Sequence, residues 1–139
     1  MTGYLPLRVQ TVPLRASLVG KTQSNISTPN EIDSIINLSG ASIFRIWTKR
    51  NKELILNSRV QSLNFLREQL IENGVKIHSI VSASGIGAYP SSYEKEFYES
   101  ESDRSNYFLS DVIKEWEKAT KSFEKIAEKV SIVRIGLVL

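Results

Sequence analysis

The sequence predicts an α/β fold, a βαβαβ piece of a doubly wound parallel sheet. Three observations point there. Apolar runs at Ser34–Leu38 and Lys76–Val81 each break into small residues at their carboxyl ends. After each run a longer segment repeats its apolar residues at helical spacing. The closing stretch, Val130–Leu139, is almost purely apolar, the pattern of a strand buried on both faces of a parallel sheet.

In chain order, residues 1–31 hold one strand candidate, Leu7–Leu14, set among prolines, followed by a Thr/Ser/Asn-rich loop. Ser34–Leu38 is the next strand. Within Thr48–Asn73, Leu56, Val60, Leu63, Leu66 and Leu70 share one helical face, Thr48 supplies a hydroxyl cap, and Gly74 stops the helix. Lys76–Val81 forms the following strand. Residues 88–106, with Pro90 and acids at 94, 96, 99, 101 and 103, read as a polar loop where an active-site flap would lie. Phe108–Glu128 places Leu109, Val112, Ile113, Trp116, Ala119, Phe123 and Ile126 on one face of a second helix, and Val130–Leu139 closes the piece.

Composition narrows the function classes. A chain of 139 residues, 41% hydrophobic and 24% charged, fits one globular domain. With no cysteine there is no disulfide, thiol nucleophile or thiolate metal site. The single imidazole, His78, reads as a half-buried strand residue, so no metal is expected. No apolar stretch approaches the roughly 20 residues of a membrane span. The net charge of +3 sits in the first thirty residues, which contain Arg8, Arg15 and Lys21 and no acid. The rest is balanced, so the basic excess marks a leader and not a face suited to nucleic acid. That leader resembles an organelle transit peptide or an ill-fitting start; the cytoplasm is the expected compartment and an organelle the alternative.

Ligands of open α/β sheets lie outside the carboxyl ends of the strands, where small residues leave main-chain groups uncovered. Asn37, Leu38, Ser39, Gly40 and Ala41 form one such edge, and Ser82 and Ala83 begin another. Together they are the candidate nucleotide contacts, set against the plainer reading of two ordinary strand-to-loop junctions. Asn37 either bonds the loop or ends its strand. Arg59 either reaches a phosphate or pairs with an acid on its helix. Trp47 could stack on a ligand, whereas Trp116 reads as core.

Taken in order, these residues carry a family resemblance. Ile35-Ile36-Asn37-Leu38-Ser39-Gly40-Ala41-Ser42-Ile43, Arg45-Ile46-Trp47-Thr48 and Ile55-Leu56-Asn57-Ser58-Arg59-Val60 are followed by Ser82-Ala83-Ser84 with Gly87 and Tyr89. Phe108-Leu109 with Trp116-Glu117, then Val133-Arg134-x-Gly136-x-Val138-Leu139, complete the series. Across residues 32–139 it resembles the epimerase-like atypical short-chain dehydrogenases/reductases. The resemblance implies a partial NAD(P)-binding Rossmann domain over 32–139, with residues 1–31 a separate segment. It implies NADP or NAD as cofactor and a small or nucleotide-sugar-like substrate.

The same resemblance implies what is missing. The family's Gly-x-x-Gly-x-x-Gly turn in an amino-terminal βαβ unit, and its carboxyl-terminal substrate domain, find no match, so the chain reads as an incomplete Rossmann-like sheet from a longer protein. Ser84 stands where the wider superfamily has its catalytic serine. The second helix offers no Tyr with Lys at the fourth position after it, since Tyr107 is followed by Asp111. Tyr89 is the candidate substitute acid, with a loop-packing aromatic the favoured reading. The expected function is part of an NAD(P)-dependent epimerase or oxidoreductase-like protein, inactive as this piece; the alternative is a non-catalytic nucleotide-binding or interaction module.

Overall fold

A computed structural model describes residues 32–101 and 107–136. The Leu7–Leu14 strand and the end of the polar loop and of the last strand (102–106 and 137–139) lie outside the described residues. The elements are β1 (Ser34–Asn37), α1 (Lys49–Glu72), β2 (Ile77–Gly85), α2 (Phe108–Lys121) and β3 (Ala127–Ile135). Short 3-10 turns follow β2 at Ile86–Ala88 and α2 at Ser122–Lys125. The three strands are parallel in the order β1-β2-β3, the expected partial α/β sheet.

Helix α1 starts where Thr48 Oγ1 accepts the Asn51 N–H at 3.3 Å. It stops at Gly74, whose φ of 66° is the left-handed conformation that glycine adopts without strain. The buried face of α1 is Ile55, Ser62, Leu63 and Leu70, turned slightly from the expected stripe. Ser62 tolerates burial because its hydroxyl donates back to the Ser58 carbonyl at 2.7 Å.

Three boundaries differ from the sequence reading by more than one residue. Helix α2 ends at Lys121, not Glu128. Near its end Thr120 Oγ1 donates to Trp116 O at 3.0 Å and Ser122 Oγ to Ala119 O at 2.6 Å. The 3-10 turn then keeps Phe123 fully buried, and the chain enters β3 at Ala127, three residues before the expected Val130. Strand β2 also runs past Val81 to Gly85, because β3 continues to pair with it through Ser84↔Arg134 and Gly85↔Ile135. Ser82, Ala83 and Ser84 are therefore strand residues, not loop.

A further correction concerns the burial of β3. It was expected to be buried on both faces, yet Val133 and Ile135 are 47% and 45% exposed. Both helices pack on the other face of the sheet. The core there gathers Leu63 and Leu70 of α1, Ile77 and Ile80 of β2, and Trp116, Ala119, Phe123 and Ala127.

Candidate functional site

The register pairs Asn37 with Ser82, so the carboxyl ends of β1 and β2 lie side by side. Buried Asn37 joins them: its Nδ2 donates to Ser82 Oγ at 2.9 Å, while its Oδ1 accepts from the Ser39 N–H at 3.3 Å and Ser39 Oγ at 2.6 Å. Both readings of Asn37 hold: it is the last residue of β1, and it bonds the loop that follows. Ser39 Oγ also lies 3.3 Å from Ser62 Oγ on α1. Two residues on, Ala41 is gripped at both backbone groups. Its N–H donates to Ser58 Oγ at 2.9 Å, and its carbonyl accepts from Arg59 Nη1 at 3.1 Å.

Gly40 makes that grip possible. A Cβ there would stand 2.8 Å from Arg59 Cζ, so the loop rests on the guanidinium only because the position has no side chain. Arg59 Nη1 also donates to the Ile55 carbonyl at 2.9 Å, and its Cζ lies 4.9 Å from the centroid of the Trp116 ring, a cation–π contact. Burial pushes the Arg59 pKa below the usual guanidinium value. No carboxylate pairs with Arg59 among the described residues. The expected alternative, an acid on its own helix, is thus not the arrangement found.

A second cluster lies where β2 and β3 end. Ser84, 5% exposed, donates its hydroxyl to Glu117 Oε1 at 2.8 Å. Glu117 in turn accepts two bonds from Arg134, Nε to Oε1 at 2.7 Å and Nη2 to Oε2 at 2.9 Å. This fork raises the Arg134 pKa further above the usual guanidinium value, outweighing the effect of burial. Arg134 Nη1 donates to the Tyr89 hydroxyl. The Tyr89 ring stacks on Phe97 with centroids 5.4 Å apart, which fixes the start of the polar loop over the end of the sheet.

The structure thus places Asn37, Ser39, Gly40 and Ala41 on one braced edge with Ser82 beneath, and Ser84 and Tyr89 on one side-chain network. Leu38 is 74% exposed on that edge, and Ala83 is partly buried in β2. Sequence reasoning missed the roles of Glu117, Arg134, Ser58 and Ser62. A signal existed: Glu117 interrupts an apolar helix face, and Arg134 interrupts an apolar strand. Opposite charges in two apolar settings imply a pair.

Away from this edge, Trp47 packs edge-on against Phe108 with centroids 5.4 Å apart and donates its indole N–H to the Ile43 carbonyl at 3.1 Å. Trp116 is core, as expected. His78 lies near the opposite, amino end of β2, half exposed, with Nδ1 2.8 Å from Glu128 Oε2. Among the described residues no group of His, Asp or Glu is placed to hold a metal ion, and no helix is long and apolar enough to cross a membrane.

No family model matches the chain. It is 34% identical over 109 residues to an epimerase family protein of Staphylococcus haemolyticus, an alignment covering 78% of this chain and 36% of that protein. It is 35% identical over 121 residues to an epimerase family protein of Staphylococcus saprophyticus, covering 83% of this chain and 41% of the relative. Among solved structures, the human epimerase family protein SDR39U1 (isoform 2), crystallised with NADPH, superposes with a TM-score of 0.59 at 24% identity. That match covers 68% of this chain and 33% of the human one. A nucleoside-diphosphate sugar epimerase from Corynebacterium glutamicum gives a TM-score of 0.53 at 27% identity, over 73% of this chain and 21% of its own. The chain spans well under half the length of these proteins. Over most of its own length it is a partial match to the epimerase family, on a Rossmann-like fold.

Proposed function

We propose that this chain supplies the carboxyl-edge portion of an NAD(P)-binding, epimerase-like site, and that as this piece it binds nucleotide without turning substrate over. The observation that carries the reading is the braced loop Asn37–Ala41. Its bonds run inward to Ser58, Arg59 and Ser62, while Leu38 and Gly40 stay exposed, so a flat ligand meets backbone already held in one conformation. The donor set fits a dinucleotide, with amide and guanidinium groups and no carboxylate on the loop itself. NADPH is the favoured form, by likeness to the human protein crystallised with it. A small or nucleotide-sugar-like substrate would then face Tyr89, above the Ser84–Glu117–Arg134 network.

Absence of turnover is supported by the same chemistry. The Ser84 proton is directed to Glu117 inside the protein, and α2 carries no tyrosine–lysine pair one turn apart to move a proton to a substrate. The test is a thermal melt of the purified chain with and without NADPH and NADH. At ten times its Kd a ligand adds about 1.4 kcal/mol, roughly 5 °C for a domain of this size. A rise with NADPH and no consumption of it alongside candidate sugars is the expected result. A midpoint indifferent to both nucleotides overturns the binding reading, and consumption of NADPH overturns the claim of no turnover.

A further inference from the structure

Past the braced turn, the chain between β1 and α1 turns its apolar side chains outward. Phe44 and Ile46 are 78% and 83% exposed, and Trp47 beside them is 44% exposed. Hydrogen bonds hold their backbone. The Ile43 carbonyl accepts from the Arg45 N–H at 2.9 Å and from the Trp47 indole at 3.1 Å. The Ile46 carbonyl accepts from the Thr48 N–H at 2.9 Å and from Asn51 Nδ2 at 2.7 Å. Trp47 is propped edge-on against Phe108, whose ring lies 5.2 Å from Lys52 Nζ. The loop thus satisfies its polar groups inwardly while two large apolar side chains project into water, an arrangement that solvent alone does not favour.

The charges beside them are of one sign. Residues 34–52 contain Arg45, Lys49, Arg50 and Lys52 and no acid. Three of the four open α1, the end of a helix at which a carboxylate and not a cation is stabilising, so helix stability does not account for them. None of the four forms an ion pair with another described residue. Exposed Phe, Ile and Trp next to grouped Lys and Arg have the chemistry of a contact with anionic lipid: the apolar side chains enter the headgroup boundary and the cations meet lipid phosphates. An acidic protein segment would meet the charges only, and leave Phe44 and Ile46 in water.

We propose that residues 43–50 form a contact for an anionic membrane surface, with Phe44 and Ile46 inserted at the headgroup boundary, Trp47 beside them, and Arg45, Lys49 and Arg50 paired with headgroup phosphates. The contact lies on the surface of the bilayer and asks for no crossing helix. It is independent of the nucleotide reading, which rests on Asn37, Gly40 and Ala41.

The test is cosedimentation of the whole chain with two sets of vesicles, one of phosphatidylcholine and one in which a third of the lipid is phosphatidylglycerol. The chain is expected to sediment with the anionic set alone and to be released by added salt. Brominated acyl chains in that set should quench the emission of Trp47, while Trp116, buried in the core, gives a constant background. Phe44→Ser with Ile46→Ser, and separately Arg45→Gln with Lys49→Gln and Arg50→Gln, should each weaken binding about tenfold or more and leave the melting midpoint near that of the parent. No sedimentation with anionic vesicles overturns the proposal, as does equal sedimentation with both sets. Parental affinity in either variant places the contact elsewhere in the chain, such as the basic residues before β1, and overturns it too. If a variant fails to fold, quenching in the parent chain decides: its presence supports the contact and its absence rejects it. A chain that vesicles leave in the supernatant but immobilised polyglutamate retains has an acidic protein segment as its partner, and the lipid proposal falls.

Discussion

At the scale of single residues, the Glu117 carboxylate is the most exacting group in the structure. It is 5% exposed and accepts from Ser84 and twice from Arg134, so its removal leaves a largely buried guanidinium without its counter-charge. Glu117→Ala is expected to cost about 3 kcal/mol, in the range for breaking a buried pair from one side. Ser84→Ala removes one donor and leaves the ion pair intact, at about 1 kcal/mol. Urea denaturation measures both, and equal costs would show that Ser84, not the ion pair, dominates the cluster. Gly40→Ala makes a different point. The atom a Cβ would meet, 2.8 Å away, is the end of a flexible arginine, which can swing aside. Global stability should fall by less than about 1 kcal/mol, whereas the Ala41 amide should exchange about tenfold faster as the grip loosens. Unchanged exchange at Ala41 would mean that Arg59 does not hold the loop.

At the scale of elements, α1 is bounded by two devices of unequal strength. Gly74→Ala places a Cβ on a left-handed residue and should cost about 1 kcal/mol or more, although nothing lies within 4 Å to clash. Thr48→Ala loses a hydrogen bond of 3.3 Å at an exposed cap and should cost about 0.5 kcal/mol. Thermal melts of the two variants should keep that order, and a larger loss at Thr48 would contradict it. Both devices were legible in the sequence because they depend on one residue type and its immediate neighbours. The end of α2 was not, because Leu109 through Ile126 continues a helical apolar period past Lys121. What meets the chain beyond the helix is β2, since the Ile77 N–H donates to the Ile126 carbonyl at 3.0 Å, a contact from nearly fifty residues away. Likewise Ser82-Ala83-Ser84-Gly85 has loop composition, and becomes strand only because β3 lies alongside it. The loop Asn37–Ala41 was legible as a cluster of small residues, but its bracing by Ser58, Arg59 and Ser62 was not, since those side chains meet it from about twenty residues away.

At the scale of the whole molecule, the described sheet is packed from one side. Register puts Ile35 opposite Ile80 and Ile36 opposite Val81, so Ile80 and Ile36 point to opposite faces. Ile80 is fully buried in the core, while Ile36 is 70% exposed. Two isoleucines on adjacent strands, alike in intrinsic strand preference, thus report on the two faces separately. Ile80→Ala leaves a cavity among Leu63, Leu70, Trp116 and Phe123 and should cost about 2–5 kcal/mol. Marginal stability for a domain of this size makes that enough to abolish a cooperative transition. Ile36→Ala should fall within about 0.5 kcal/mol of the parent, as surface substitutions do. Urea unfolding of the chain by itself decides the matter. A loss at Ile36 comparable with that at Ile80 would mean that the face carrying Ile36, Val133 and Ile135 is covered when the protein is in solution, and that the sheet is stabilised from both sides.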